Sequence, residues 1–458
     1  MNLKIKKIHF FNSPILKIVK PIWYFSIFAN NSKNWIDYKK LDKNIVANID
    51  ICHDYSTKYL TKIDAAYQLI NNGFIIGKNE KVHTSLNLED KSYIVTVRDQ
   101  YIFLRRMYKK IWIYYTLISR IISLKVTMDD IISIFKTNHI EQLQICDKVS
   151  YSDYNSFESR LVEKKPLINI IIPTLNRYEN LKSLLLDLEK QTYKNFNIFI
   201  IDQSKPFKPD FYKTFSLTIK VMYQKEKALW RARNQGIKNS ETDFLLFLDD
   251  DSKVGESWIL EHIRCMDYFN ADISAGISIS EVGAPVPKNY SYFRIADQLD
   301  TGNVMMKRDV LKKCGLFDLH FEKMRMGDGE FGLRAHLNGF KIIHNPLSKR
   351  NHLKVKEGGL REMGSWDGLR PKNIFNLRPI PSVLYFYRSY WGDSNTLFSL
   401  IQTIPLSLTP YAIKGRLKGY VISIILFILF FPLIIYKVHK SWKFSDNMIN
   451  KGPMIENY

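Results

Sequence analysis

The run Phe244–Ser252, FLLFLDDDS, constrains this chain more than any other stretch of it. Phe244, Leu245, Leu246, Phe247 and Leu248 are an unbroken apolar segment of strand length, as expected of a strand buried on both faces of a helix-covered sheet. Asp249, Asp250 and Asp251 follow at once. Three like charges at a strand end repel one another unless a cation or a metal-bound polyanion sits among them. Ligands of open α/β sheets bind at the carboxyl ends of strands, which is where these acids stand. A solvated acidic turn is the plain alternative, and the neighbouring segments decide between the two.

Upstream, Leu167–Ile172 (LINIII) reads as a buried strand ending in Pro173-Thr174-Leu175-Asn176-Arg177. A helix follows from about Glu179 to Gln191, with Leu181, Leu184, Leu185 and Leu188 on one face. Phe196–Ile201 (FNIFII) is a second strand, ending in Asp202-Gln203-Ser204, and Ile219–Tyr223 is a third, followed by a helix through Ala228–Asn239. Strands and helices alternate with short connections, the pattern of a parallel sheet wound by crossovers. Thr174, Asp202, Asp249 and Asp251 all fall at strand ends.

These motifs in this order, with ARNQGI at Ala232–Ile237, strongly resemble the nucleotide-sugar half of family-2 glycosyltransferases with the GT-A fold, over about Pro166 to Lys356. The resemblance implies a Rossmann-like α/β catalytic domain over 166–365. It implies that Thr174 and Asp202 hold the base and ribose, that Arg231 and Arg233 face the diphosphate, and that Asp249 and Asp251 are the acids of a DxD motif. Asp249 would then serve the ribose and Asp251 a divalent Mn²⁺ or Mg²⁺, with His352 as a further ligand. Solvated helix arginines are the competing reading for Arg231. Gly302 and Asn303 resemble the family's acceptor-side strand, with a bulge or turn glycine as the alternative for Gly302. Asp328 falls at the general base of an inverting transfer, and Glu330 would orient that base or pair with Arg334 at i+4. Gly327 stands where the family keeps an acid. Gly358-Gly359-Leu360-Arg361 looks like a loop that closes on phosphate.

Outside this region, residues 1–160 read as a small α+β module. Ser92–Val97 and Tyr101–Leu104 predict a hairpin, helical periodicity runs through Met107–Ser123, and Thr127 can cap a short helix. The order is weakly similar to a winged-helix module at 60–150. No export signal is read at the N-terminus. Cys52, Cys146, Cys265 and Cys314 are widely spaced and read as reduced core thiols.

The net charge is +22, and sixteen basic against four acidic residues lie between Lys341 and Lys443. That basic region holds the most apolar part of the chain, which favours a membrane surface over nucleic acid. Within a helical region at 370–445, Thr396–Ile413 and Gly419–Tyr436 are each 18 residues without a charge. The second is near the minimum for spanning and carries Pro432, so one anchor plus an interfacial segment, or a shallow insertion, is expected at the cytoplasmic face of the membrane. The acceptor expected is a glycan or lipid-linked hydroxyl. Two rivals stand beside it: a glycosyltransferase acting on a peptide held by the N-terminal module, and a non-catalytic basic protein binding nucleic acid or lipid.

Overall fold

The computed structural model describes residues 10–19, 35–76, 86, 94–143, 148–280, 291–296, 298–354, 369, 376–410, 413 and 416–458. The chain divides into two compact units, Met1–Ser152 with Tyr292–Ile295, and Asp153–Ser291 with Ala296–Tyr458. Cys146 and the Gly358–Arg361 loop lie outside the described residues, and Cys52, Cys265 and Cys314 are buried free thiols.

The first unit is built from the helices Lys58–Asn71, Val97–Met107, Ile111–Ile122 and Met128–Lys136. Its core gathers Phe10, Trp35, Leu60, Ile63, Tyr101 and Phe103, and Arg106 pairs with the buried Asp64 at 2.9 Å. The expected hairpin is corrected here. Ser92 and Tyr93 lie outside the described residues, and Tyr101–Leu104 belongs to the helix Val97–Met107. Asp99 N donates to Thr96 Oγ1 at 3.1 Å, while Thr96 N donates to Asp99 Oδ2 at 2.9 Å. This reciprocal cap turns Arg98-Asp99-Gln100, which lacks the glycine a tight hairpin favours, into the first turn of a helix.

The second unit holds a sheet of strands β1 (Ile168–Thr174), β2 (Phe196–Asp202), β3 (Ile219–Tyr223), β4 (Phe244–Leu248), β5 (Ser252–Val254), β6 (Ile273–Ile279), β8 (Asn303–Lys307) and β9 (Ile342–His352). The two-residue β7 (Arg294–Ile295) is counted with the first unit. Strand order is β3-β2-β1-β4-β8-β6-β9-β5. The β3-β2-β1-β4 half is parallel, and β4–β8, β8–β6 and β9–β5 pair antiparallel. β1 is buried at every position, as expected of a mostly apolar strand covered on both faces, and its one interior polar side chain, Asn169, donates to Ser240 Oγ at 2.6 Å. Leu181, Leu184, Leu185 and Leu188 of the helix Tyr178–Glu189 cover one face of this half.

The helix Leu229–Lys238 starts under a distant carboxylate. Glu322 accepts from Leu229 N at 2.5 Å, Trp230 N at 3.0 Å and Arg231 N at 3.2 Å, which satisfies three donors that a helix start leaves open. Glu322→Ala is expected to cost roughly 1–3 kcal/mol, read as a lower denaturant midpoint at unchanged slope, because it strands charge-assisted bonds at a buried helix end.

The C-terminal apolar run is not one continuous helix. Gly419–Tyr436 breaks at Phe430 into the helices Leu417–Leu429 and Phe431–Lys451, bent by 82°. Pro432, within the first turn of the second helix, supplies no N–H to continue the first. Among the described residues no single helix is long and apolar enough to cross a membrane. Leu417–Leu429 has 13 residues, about 20 Å of helix against a hydrocarbon core of about 30 Å. The second helix instead packs Ile434, Lys437, Ser441, Ser445 and Met448 inward, and Arg388 reaches Ser445 Oγ at 2.6 Å and Asp446 at 2.7 Å. Beyond it the tail returns to the sheet domain, where Leu316 N donates to Glu456 O at 2.8 Å.

Candidate active site

Parallel pairing of β1 with β2 and β4 brings three carboxyl ends together, with Thr174 level with Asp202. Antiparallel pairing of β5 with β9 places Ser252 opposite His352, and Leu353 N donates to Asp251 O at 2.9 Å. β8, antiparallel to β4, sets Asn303 opposite Leu248 and carries the preceding Asp300–Gly302 to the same end.

Each acid has a basic partner. Asp249 accepts from Arg233 at 2.7 Å and from Arg350 at 3.2 Å. Asp250 accepts from Thr174 Oγ1 at 2.8 Å and from Arg177 at 3.1 Å. Asp251 accepts from the same Arg177 nitrogen at 3.0 Å and lies 3.3 Å from His352 Nε2. Asp300 accepts from Arg350 at 2.8 Å, Ser278 Oγ at 2.6 Å and Gly302 N at 2.9 Å. Four carboxylates thus face three guanidiniums and one imidazole, so the cluster is close to neutral and can stay buried. Burial pushes the Asp250 carboxyl up to about 6 against the pull of Arg177. Burial also works to raise Asp251, but the His352 bond and the Arg177 charge carry it below the usual carboxylate range.

Gly302 is required by this crowding. A Cβ there would lie 2.2 Å from Arg350 Nη1 and 2.4 Å from Asp249 Oδ2, so its use is close approach rather than a bulge.

Asp249, Asp251 and His352 each offer a ligand atom, all within 4.8 Å of one another. Two carboxylates and one imidazole suit Mn²⁺, and the carboxylates alone suit Mg²⁺. The residues therefore fit a divalent cation. Beside them Arg233, fully buried and spanned by the Trp230 ring at 4.9 Å, leaves Nε and Nη1 without a hydrogen-bond partner among the described residues. An anion arriving next to Asp249 would satisfy donors that are otherwise costly to bury.

The remaining candidates are distributed differently. Asp202, fully buried, accepts from the hydroxyls of Tyr178 and Tyr212, both at 2.7 Å, and from Ser204 N at 2.8 Å. Arg231 pairs with Glu226 at the surface, both more than half exposed, which is the solvated arrangement. Asp328 is fixed by Thr301, whose N donates to Oδ1 at 3.1 Å and whose hydroxyl bonds the same oxygen. Glu330 takes the i+4 option: it is buried against Arg334 Nε and Nη2, both at 2.9 Å, and accepts from Tyr390 at 2.6 Å. Asn303 is bound into the fold. Its Nδ2 donates to Ile277 O at 2.8 Å and Ser348 O at 2.9 Å, while its Oδ1 accepts from Trp258 Nε1 at 2.8 Å and lies 3.1 Å from His262 Nε2. All the hydrogen-bonding capacity of that amide is used by the fold.

The departure at Gly327 also has a cause. A Cβ there would meet Trp230 Cζ2 at 2.3 Å, so the indole fills the space an acid would need. Gly327→Glu, which restores the family's residue type, is expected to lower Tm without raising transfer, since a rigid buried ring cannot give way. A thermal melt and a turnover assay on the same preparation check both halves.

Arg177, Asp300 and Arg350 were not among the residues expected from sequence, and Asp250 was read only as one of three neighbouring acids with no role of its own. The signal for them was indirect: three consecutive acids at a buried strand end demand cationic partners, and Arg177 stands in the segment that closes β1.

Glycosyl transferase family 2 matches residues 169–321. An uncharacterized glycosyltransferase of Haemophilus influenzae is 33% identical over 86 residues, covering 19% of this chain and 29% of that protein. Glycosyltransferase AglE of Haloferax volcanii is 22% identical over 195 residues, 39% of this chain and 64% of that protein. Amylovoran biosynthesis glycosyltransferase AmsB of Erwinia amylovora is 23% identical over 218 residues, 43% and 72% respectively. The chain therefore spans less than two thirds of the length of the first two relatives. Among solved structures, GalNAc-T7 with UDP, GalNAc and Mn²⁺ is similar at a TM-score of 0.43 and 15% identity, over 63% of this chain and 60% of that one. With its parallel strands, strand-end acids and antiparallel return through β8, the segment 169–321 is a Glycosyl transferase family 2 domain of GT-A fold.

Proposed function

We propose that the chain moves a sugar from a nucleoside diphosphate onto a hydroxyl group with inversion, in glycolipid or polysaccharide assembly at the cytoplasmic face of a membrane. The observation that carries the proposal is the set Asp249, Asp251 and His352 beside the unspent donors of Arg233. Arg233 would hold the diphosphate, Asp249 the ribose, and the Thr174 and Asp202 strand ends the base and ribose. Asp251 and His352 would hold Mn²⁺ or Mg²⁺, which supplies charge neutralisation to the departing diphosphate. Gly302 lets Asp249 and Arg350 close over the backbone beneath the acceptor.

Asp328 is the base in this reading. Both of its donors among the described residues bond Oδ1, which orients the carboxylate while Oδ2 receives the acceptor's proton. As that proton leaves, the acceptor oxygen attacks the anomeric carbon, and the bond from that carbon to the diphosphate breaks on the opposite side. Glu330, tied to Arg334 and Tyr390, stiffens the helix that carries Asp328.

Attachment to the bilayer would use Leu417–Leu429, whose Leu417, Ile424, Ile428 and Leu429 are all at least half exposed. It would lie in the interface, within reach of a lipid-linked acceptor.

Incubation with uridine, guanosine and thymidine diphosphate sugars, with and without Mn²⁺, tests the reading. Release of one nucleoside diphosphate, dependent on metal and increased by a lipid-linked acceptor, is expected. A folded protein that releases none with any donor or acceptor fraction would contradict it.

A further inference from the structure

Two helices of the first unit are built inside out. In Ile111–Ile122 the buried residues are Ile113, Thr116 and Arg120, and in Met128–Lys136 they are Asp130 and Ser133. Arg120 and Asp130 bond one another and their neighbours, while Thr116 Oγ1 has no hydrogen-bond partner among the described residues. Arg120 Nε meets Asp130 at 2.8 Å, Thr127 N and its hydroxyl both donate to Asp130 at 2.8 Å, and Tyr101 donates to it at 3.2 Å. Arg105 closes the other end on Thr137 Oγ1 at 2.9 Å and Ile134 O at 2.8 Å. The apolar side chains point the other way: Ile118 is 55% exposed, Leu124 93%, Met128 69% and Phe135 76%.

An amphipathic helix pair normally hides its apolar stripe. Here the buried Arg120–Asp130 ion pair holds the two helices together and leaves the stripe unused, and a contiguous apolar face of this kind marks an interaction surface. Leu124, in the turn between the helices with φ +53°, stands out as an apolar tip. Lys109, Lys110, Lys125 and Lys136 are exposed along the same segment, against the single exposed acid Asp129. A second copy of the face would set lysine against lysine. An anionic surface with an apolar interior matches both the rim and the stripe.

We propose that this face seats in the headgroup boundary of an anionic bilayer, with Leu124 and Phe135 inserted and the four lysines on lipid phosphates. It is a membrane contact of the first unit itself, separate from Leu417–Leu429, and it does not rest on the transfer reaction.

The test is flotation of the full chain with vesicles of phosphatidylcholine alone or mixed with phosphatidylglycerol. Ile424→Asp/Ile428→Asp first weakens the C-terminal patch. That variant is expected still to float with the anionic vesicles, and adding Leu124→Asp/Phe135→Asp should lower its bound fraction at least about tenfold with an unchanged circular dichroism spectrum. Should the aspartates unfold the unit, Leu124→Ser/Phe135→Ser makes the same comparison. Replacing the four lysines by glutamine should erase the preference for phosphatidylglycerol. Flotation unaffected by the Leu124 and Phe135 changes, or equal binding to both vesicle types, would overturn the proposal. So would vesicle-free dimerisation that those changes abolish, which would make a second copy the occupant.

Discussion

Asp251→Ala should lower transfer by about a thousandfold or more, since a metal ligand at a departing diphosphate accounts for several kcal/mol of transition-state stabilisation. The substitution leaves His352 without its carboxylate while Arg177 keeps its bond to Asp250. Fold is expected to survive, because Arg177 keeps one buried partner. Asp249→Ala differs in a way that separates chemistry from stability. Asp249 bonds both Arg233 and Arg350, each fully buried, so its loss unbalances two guanidiniums and should also lower stability by roughly 3–5 kcal/mol. Nucleoside diphosphate release measured beside chemical denaturation distinguishes the two variants. Equal turnover in wild type and Asp251→Ala would remove this acid from the reaction.

Asp328→Asn should lower kcat by about 10²–10⁴-fold while nucleotide affinity stays within about twofold, as expected when a base is lost and the donor site is untouched. Glu330 provides the contrast. Its carboxylate is the counter-charge of the buried Arg334, so Glu330→Gln should destabilise the protein by roughly 3–5 kcal/mol, with any loss of activity following the loss of folded protein. If Glu330→Gln were instead stable and inactive, and Asp328→Asn active, the two acids would exchange roles.

The sheet was legible because β1, β2 and β4 are short, mostly apolar runs with polar punctuation at their ends, a signal carried by each strand alone. The acids at their ends followed from the same punctuation, and His352 from motif order. What escaped was whatever depends on distant partners. Arg350 meets Asp249 across 101 positions of sequence, and no local pattern links them. Asn303 looked available because sequence does not show that Trp258 and His262 already hold its amide. The hairpin failed where a Thr96–Asp99 cap drew Val97 and Tyr101–Leu104 into a helix. Periodicity found Ile111–Ile122 but could not say which face is inward, since a helix with polar residues inside has the same period as one with them outside. The break at Phe430 was foreshadowed by Pro432, but its 82° angle was not, and Ile434 beyond the break packs on Leu384, Leu400 and Ile404, which lie far from it in sequence.

The most direct test of the donor site is calorimetric titration of the wild-type chain with uridine, guanosine, thymidine and cytidine diphosphates, each with and without Mn²⁺. Binding of one nucleotide that requires the metal is the predicted result, because the open donors of Arg233 would take the diphosphate and the Asp249–Asp251–His352 set would hold the ion that neutralises it. Absence of binding to a folded protein under every condition, or tight binding indifferent to metal and base, would contradict it.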